Sequence, residues 1–559
     1  MRFLVAAIIG CALGLNGAAG RATTLLAEPL EPGANLPPTG RSLFDELFEV
    51  GPPAASRLNA RYALPYPFER LLAELNGRLA PGAATTVLIP LGRSLQRHAA
   101  EPDYFASPRV VVAVTDDRGA PNRPLLRDRL YLGYHERAEV IEAISYNEVA
   151  GRFEFQLVEG YGPDGAPQVT YGERFVCVAC HQAHGPIFPT AVWNETSADP
   201  RVAAKLADLG VSFHGAPTRG GVDRADAVDR STDRAAWLPF ANALWADGCG
   251  GAVVPVATRC RGDLLLAALR YRLGGARSAP VPTDVASAAL AERLAEHMTR
   301  LAPAGLGAPS PDLPNRAPLA EIEAGVPVAA AIEPDGVFEP SLRRAPLLFW
   351  QPSKPAAELL ATAVRNTAAG FADGDILWLD RLLAARAAGA PDLVRERIGC
   401  RVRSIERDQG RRELRLTCGE DTDSRATLAG YILFEGDVPM GGLIDSLSLP
   451  GHGPLTRLIV VGGGPAAGGD ALELQLREAG LGLSGRLASG ERLASVALHI
   501  AQDGAAAIDL GVVDDLEPLR AAVRLMVQAA STDPAAALGV GPLRRRAVLA
   551  ALAAALDTE

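Results

Sequence analysis

One short segment constrains the fold of this chain more than any other, the run from Phe175 to His181. It holds two cysteines, Cys177 and Cys180, and a histidine follows the second one directly. Residues three positions apart lie one helical turn apart when the backbone is helical. The fold must therefore present two thiols and one imidazole together on a short helix.

The spacing Cys-x-x-Cys-His is typical of a covalent attachment site for haem c. Each thiol is placed to reach one vinyl group along one porphyrin edge, and the histidine then lies beneath the iron as its proximal ligand. The segment predicts one covalent haem c held by Cys177, Cys180 and His181, which also obliges the chain to mature outside the cytoplasm.

Two other interpretations of the same cysteines stay open. A thioredoxin-like redox pair also uses Cys-x-x-Cys, although no βαβ setting surrounds this one. A zinc site could use Cys177, Cys180, His181 and His184, although four ligands within eight residues are crowded and no second Cys-x-x-Cys follows.

On these residues the chain resembles the c-type cytochromes, and it is more similar still to large exported single-haem proteins of uncharacterised role. The likeness extends through Gln182 to Pro189 and Trp193 to Thr196, with specificity over Arg129 to Ala246. It implies that a backbone carbonyl after the motif accepts the proximal imidazole N–H and fixes its tautomer. Gly185, Pro186 or Pro189 could supply that carbonyl.

The sixth ligand of the iron is left open by the sequence. Met298 would give Met/His ligation and a raised potential suited to electron transfer, and His214 would give a bis-histidine site. An open or water-bound position is a third possibility. Other candidates are His297, His184, His135 and Met440.

The N-terminus predicts export. Arg2 precedes an apolar stretch from Phe3 to Leu15 and then small residues, the form of a signal peptide over 1–20. An uncleaved anchor is the alternative, and Cys11 resembles a lipoprotein box. The mature chain is expected in the periplasm without a transmembrane span. A net charge of −10 without a basic run argues against a nucleic-acid partner.

The remaining cysteines fall into local pairs. An even set in an exported chain predicts disulfides where no motif claims the thiols. The expected bridges are Cys249–Cys260 and Cys400–Cys418, the second across a hairpin.

Periodicity predicts an α+β multidomain chain with a mixed β/helical haem domain, an antiparallel β domain and C-terminal helices. The expected divisions are a mixed α/β region over 21–165, a mainly helical haem c domain over 166–315, a linker with helices over 316–396, the β domain over 397–515 and the final helices over 516–559. The β domain is expected to be a sandwich or a partial barrel.

Two further patterns are interpreted as structural. Leu458 to Ala467 resembles a dinucleotide fingerprint, but too little chain follows it for the rest of a flavin domain. It is predicted to be a glycine-rich hairpin loop, and no flavin or nicotinamide is expected. Four aspartates after His214 are predicted to lie in a solvated loop, with calcium binding as the alternative: Asp223, Asp226, Asp229 and Asp233.

The leading hypothesis is a periplasmic protein that passes single electrons to or from a redox partner, either a protein or a small molecule. The second is a haem enzyme of peroxidase or oxygenase type with an open iron, in which His214 or Arg219 acts on the distal side. The third is a binding or sensor protein that recognises a partner through its C-terminal β domain.

Overall fold

The computed structural model describes residues 36–558 apart from 38, 52–59, 95, 182, 189–193, 251–253, 276–284, 309–315, 334–346, 388–393, 408–410, 419–425, 436–437, 450–452, 463–470, 477–485, 487–491, 501–504 and 514. Within 394–513 it describes mainly the backbone. The predicted signal peptide over 1–20, including Cys11, lies outside the described residues.

Helices occur along the described chain outside residues 394–513. They are α1 (Leu43–Phe48), α2 (Phe68–Gly77), α3 (Arg174–Cys180), α4 (Pro200–Asp208), α5 (Gly221–Ala246), α6 (Val254–Gly274), α7 (Val285–Leu301), α8 (Pro318–Glu323), α9 (Val328–Ala331), α10 (Ala356–Ala369), α11 (Asp373–Ala387), α12 (Glu517–Thr532) and α13 (Arg545–Asp557). Short 3-10 helices span Arg97–Ala100 and Glu136–Ala138.

A six-stranded antiparallel meander forms the central sheet. Its strands pair in sequence order: β3 (Ala84–Ile89), β4 (Arg109–Val114), β5 (Leu130–His135), β6 (Val140–Asn147), β7 (Arg152–Glu159) and β8 (Gln168–Tyr171). Two small sheets pair β1 (Glu49–Val50) with β2 (Arg61–Tyr62), and β9 (Leu306–Ala308) with β10 (Leu347–Trp350).

A second β structure lies near the C-terminus, where eight strands form a closed barrel. The strands are β11 (Val394–Arg407), β12 (Arg411–Cys418), β13 (Ala426–Glu435), β14 (Val438–Leu449), β15 (Gly453–Gly462), β16 (Ala471–Leu476), β17 (Arg492–Ile500) and β18 (Ala505–Val513). All neighbours are antiparallel, and β18 pairs with β11 to close the ring. Closure leaves no unpaired edge. The strands are antiparallel as predicted, but they form a closed barrel instead of the expected sandwich or partial barrel.

Local chemistry explains where several elements begin. Ser42 and Asp45 form a reciprocal capping box at the start of α1. Asp199 caps α4 by accepting from the N–H groups of Arg201 and Val202, with proline at the first helical position. The β-branched run from Val110 to Val112 favours a strand. These signals are local, which is why the sequence shows them.

One predicted loop is helical. The four aspartates after His214 lie in α5, which begins at Gly221. Asp226 pairs with Arg230 one turn later at 2.8 Å, a helical spacing. The expected solvated loop is therefore wrong, because i, i+4 charge pairing and burial of one face support a helix there.

The predicted α+β class is confirmed at the level of a helical assembly combined with antiparallel sheet. Among the described residues, two hydrophobic clusters make up the core. The first joins the central sheet to α1, α2 and part of α5, and includes Leu319 and Ile332. The second joins α5, α6, α7, α10, α11, α12 and α13. Helix α5 contributes to both clusters and so ties the sheet to the helices.

Within the described part of the chain, the helices are all too short or too polar to cross a membrane.

Candidate functional site

The sheet edge leads directly into the helix that carries the cysteines. Only Gly172 and Glu173 separate β8 from α3. The N–H of Gly172 donates to the carbonyl of Phe155 at 2.8 Å, and the N–H of Cys177 donates to that of Glu173 at 3.0 Å. The N–H of His181 in turn donates to Cys177 at 2.9 Å. The whole motif is therefore wound as one helical turn beside β7.

Arg174 anchors this helix to the sheet and was not singled out in the sequence. Its side chain is buried, and Nη1 donates to the carbonyl of Phe153 at 2.8 Å and to Oε2 of Glu154 at 3.3 Å. The guanidinium carbon lies 5.5 Å from the ring centroid of Phe155. A buried cation needs such partners. An arginine three residues before the first cysteine was the available signal.

The two thiols differ in exposure. Cys177 is half-buried, and a Cβ on Gly172 would lie 3.3 Å from its sulfur, so the glycine keeps space beside Sγ. Burial raises the pKa of Cys177 to about 11, which keeps the thiol protonated near neutral pH. Cys180 is exposed at the end of the helix. Because Cys180 follows Cys177 by three positions, the two thiols share one side of α3.

His181 is held by two contacts. Its Nδ1 lies 2.8 Å from the carbonyl oxygen of Gly185, and its ring centroid lies 5.3 Å from that of Phe155. A carbonyl can only accept, so Nδ1 carries the proton and Nε2 carries the lone pair. Among the carbonyls that the resemblance suggests, the structure assigns this bond to Gly185. Pro189 lies outside the described residues.

Burial lowers the pKa of His181 to about 4, against the opposing effect of the Gly185 hydrogen bond. The imidazole is therefore neutral near pH 7, the form that ligates metals. Two thiols on one turn and a neutral imidazole with a fixed tautomer are the donor set that haem c requires. The residues present thus fit that group.

An apolar surface lies on the same helix. Phe175 is 44% exposed and Val176 is 43% exposed, so α3 presents two adjacent apolar side chains to solvent. Exposed apolar groups beside reactive residues are typical of surface that a ligand or partner covers.

A charged pair lies near His181 on the same face of the sheet. Gly133, Glu142 and Leu157 are register neighbours across β5, β6 and β7, and Phe155 is two residues from Leu157. Arg109 pairs with Glu142, and its guanidinium fills the space that a Cβ on Gly133 would need. The positive charge of Arg109 also lowers the pKa of His181, although burial and the Gly185 hydrogen bond have larger effects on it.

His214 lies on the opposite face of the sheet from His181. Its ring packs edge-on against Tyr134, with centroids 5.1 Å apart. In the register, Phe155 stands on the same face as Tyr131, and Tyr131 and Tyr134 are three residues apart, so they point to opposite faces. The ring nitrogens of His214 lie 3.0 Å from Glu69 and 3.4 Å from Glu136. The structure does not bring His214 to His181.

Met298 is fully buried in the second hydrophobic cluster. Its sulfur lies beside Gly248, where an added Cβ would be 3.1 Å away. Ala183, two residues after His181, belongs to the same cluster. The structure therefore places Met298 in the helical core behind the segment that follows the motif.

The other candidate ligands are dispersed. His184 is half-buried with a φ of 58°, and its N–H donates to the carbonyl of His181 at 2.7 Å. His297 is half-buried on α7. His135 is 3% exposed on β5. The side chain of Met440 lies outside the described residues. Arg219, the alternative distal group, precedes α5.

The structure joins Cys249 and Cys260 by a disulfide with the Cα atoms 5.4 Å apart. Cys400 is disulfide-bonded and stands directly opposite Cys418 in the register of β11 and β12. The first bridge connects the end of α5 to α6, and the second position lies within the barrel.

The glycine-rich segment lies between paired strands. β15 contains Leu458 to Gly462 and pairs antiparallel with β16, an arrangement expected of a hairpin rather than of a strand–turn–helix nucleotide site. The residues between them, 463–470, lie outside the described chain. Among the described side chains, no group of three or more His, Cys, Asp or Glu is arranged to hold a metal ion.

No protein-family model, curated protein or solved structure matches this chain.

Proposed function

We propose that this chain is an exported c-type cytochrome that binds one covalent haem and exchanges single electrons with a redox partner. One observation carries the proposal most strongly. His181 follows directly after a helical turn that holds both thiols, and the Gly185 carbonyl fixes its ring at 2.8 Å with Nε2 left as the ligating atom.

Each residue of the site has a distinct task. Cys177 and Cys180 would form the two thioether bonds, and His181 would ligate the iron. Haem c supplies a one-electron Fe(III)/Fe(II) couple when bound. Gly185 holds the tautomer of His181, Arg174 holds α3 on the sheet, and Phe175 and Val176 offer apolar surface beside the thiols.

The exposure of the site favours electron exchange. Cys180 lies at the surface, so a group attached there would keep one edge accessible to a partner. The central sheet, α3 and the helices that follow would together form the haem domain, and the exported location predicted from the N-terminus would be the compartment.

A haem enzyme with an open iron position is the second candidate. The position of His214 on the other face of the sheet, with both ring nitrogens beside carboxylates, favours it. Met298 in the helical core favours it as well. A five-coordinate iron would bind an exogenous ligand, as peroxidases and oxygenases do.

Covalent haem is tested by expressing the full chain with its N-terminus in a bacterium that matures cytochromes c. We expect a haem-stained band of the correct size on a denaturing gel and a haemochrome spectrum of one haem per chain. Cys177→Ala with Cys180→Ala should abolish the stain, whereas Cys249→Ala with Cys260→Ala should keep it. An unstained wild-type band beside a stained control cytochrome would refute the proposal.

Carbon monoxide distinguishes the two candidates. Ferrous protein that binds the gas at once is five-coordinate and supports the enzyme, and protein that does not is six-coordinate and supports the electron carrier. If the sulfur of Met298 is the sixth ligand, Met298→Ala should turn a protein that does not bind carbon monoxide into one that does. His214→Ala is the matched comparison.

A further inference from the structure

A cleft separate from the cysteine motif lies where the central sheet meets the helices. Its walls come from β6, α5, α10 and the segment that leads into α13. Arg129, Tyr146 and Asn366 line it with polar atoms, among apolar side chains such as Leu238 and Leu543.

Arg129 brings a positive charge into this cleft without a carboxylate of its own. The residue is 8% exposed, and its guanidinium donates to the carbonyls of Arg127 at 3.0 Å and Ala369 at 3.5 Å. Among the described residues, no carboxylate lies within ion-pair distance of it. Its guanidinium carbon also lies 5.8 Å from the ring centroid of Tyr146. A buried cation without an ion-pair partner is costly unless a counter-charge is present.

Asn366 and Tyr146 add further donors. Asn366 is 8% exposed, and its Nδ2 has no hydrogen-bond partner among the described residues. The hydroxyl of Tyr146 accepts from Nδ2 of Asn242, so its own proton is left to donate. Asn366 and Tyr146 therefore each present a donor to the cleft that no described acceptor matches, beside the guanidinium of Arg129.

The other charged residues of the wall already have ion-pair partners. Arg545 makes a two-pronged ion pair with Asp375 at 2.5 and 2.7 Å. Glu148 accepts from the backbone N–H of Arg546 at 2.8 Å and from its Nε at 3.1 Å. Among the described charged residues of the wall, Arg129 is the one without an ion-pair partner. Glu148, which shares Arg546 with Glu46, attracts it only from beyond ion-pair distance.

We propose that this cleft binds a small carboxylate, held between the guanidinium of Arg129 and the amide of Asn366. A carboxylate accepts from several donors at once and neutralises the buried cation. Water can accept from the same donors, but it carries no charge and so would not neutralise Arg129. The occupant is a free carboxylic acid anion or the carboxylate end of a longer molecule, and the site is independent of the haem proposal.

Acetate serves as the probe. Wild-type protein should gain thermal stability with acetate in a saturable manner, beyond the effect of chloride at equal ionic strength, because a ligand of the folded state stabilises it. Propionate and longer monocarboxylates distinguish a free small anion, for which affinity falls with chain length, from the end of a longer molecule, for which affinity is kept or rises.

Asn366→Asp supplies a carboxylate from the chain itself. This variant should be more stable than wild type without acetate and should lose the saturable acetate response. Asn76→Asp, at an exposed position of α2, should keep the wild-type response. Asn366→Ala, which favours the helix, should bind acetate about tenfold more weakly. Equal responses to acetate and chloride in wild type, or a wild-type acetate response in either Asn366 variant, would overturn the proposal.

Discussion

His135 illustrates how a single side chain in this sheet responds to its surroundings. It is 3% exposed at the end of β5, and its Nδ1 has no partner among the described residues. Burial lowers its pKa to about 4, with smaller contributions from the charges of Arg109 and Arg137. The neutral ring is the form that the folded state favours.

We expect this histidine to make stability depend on pH. Above pH 6.5 it is neutral in both states. As the pH falls from 6.5 to about 4, the unfolded chain gains a proton that the folded chain does not, so the free energy of unfolding falls by at most about 3 kcal/mol. His135→Leu should remove this pH-dependent fall in the free energy of unfolding and should not lower the free energy of unfolding at pH 7.

Urea unfolding of wild type and His135→Leu at a series of pH values measures the difference. Parallel stability curves for wild type and His135→Leu would contradict the expectation.

At the scale of elements, two strands of the barrel have sequences that do not favour a strand. β14 contains adjacent glycines, Gly441 and Gly442, and β18 begins with the alanines 505–507. These residues have low strand propensity. Pairing with a strand on each side stabilises both elements, so tertiary hydrogen bonding outweighs the local preference.

The disulfide between α5 and α6 is an element-scale constraint. Its partners are 11 residues apart, and closing a loop of that size stabilises the folded state by about 3 kcal/mol in the chain-entropy description. Cys249→Ala with Cys260→Ala should lower the free energy of unfolding by about that amount. Calorimetry of the two proteins checks this, and an unchanged midpoint would contradict it.

At the scale of the whole molecule, four charged residues connect the barrel to the helices. Arg486 is 2% exposed and makes a two-pronged pair with Asp515 at 2.7 and 2.8 Å and a bond to Asp380 of α11 at 2.7 Å. Arg492 of β17 bonds to the same two aspartates at 2.9 and 2.7 Å. The two positive and two negative charges balance.

Removing one member of this group should loosen the barrel. Arg486→Met leaves two buried aspartates with one arginine, and breaking a buried pair costs about 3 kcal/mol or more. We expect faster proteolysis within 394–513 and a lower free energy of unfolding. Arg524→Met, which removes an exposed pair with Glu517, should cost less than about 1 kcal/mol. Equal losses in the two variants would show that the group does not anchor the barrel.

Local patterns in the sequence were enough to predict much of the chain. They predicted the α+β class and the helical turn that carries Cys177, Cys180 and His181, because residues one to four positions apart set those patterns. The cysteine pairs are also close in sequence, at 249 with 260 and 400 with 418, so their proximity follows from short connections.

The tertiary structure alone decided which distant residues meet. It placed His214 and His181 on opposite faces of one sheet, buried Arg174 against Glu154, closed β18 onto β11 and left Arg129 in a cleft with Asn366. Such contacts join residues far apart in the chain. They depend on register and on packing summed over many side chains, which no short stretch of sequence contains.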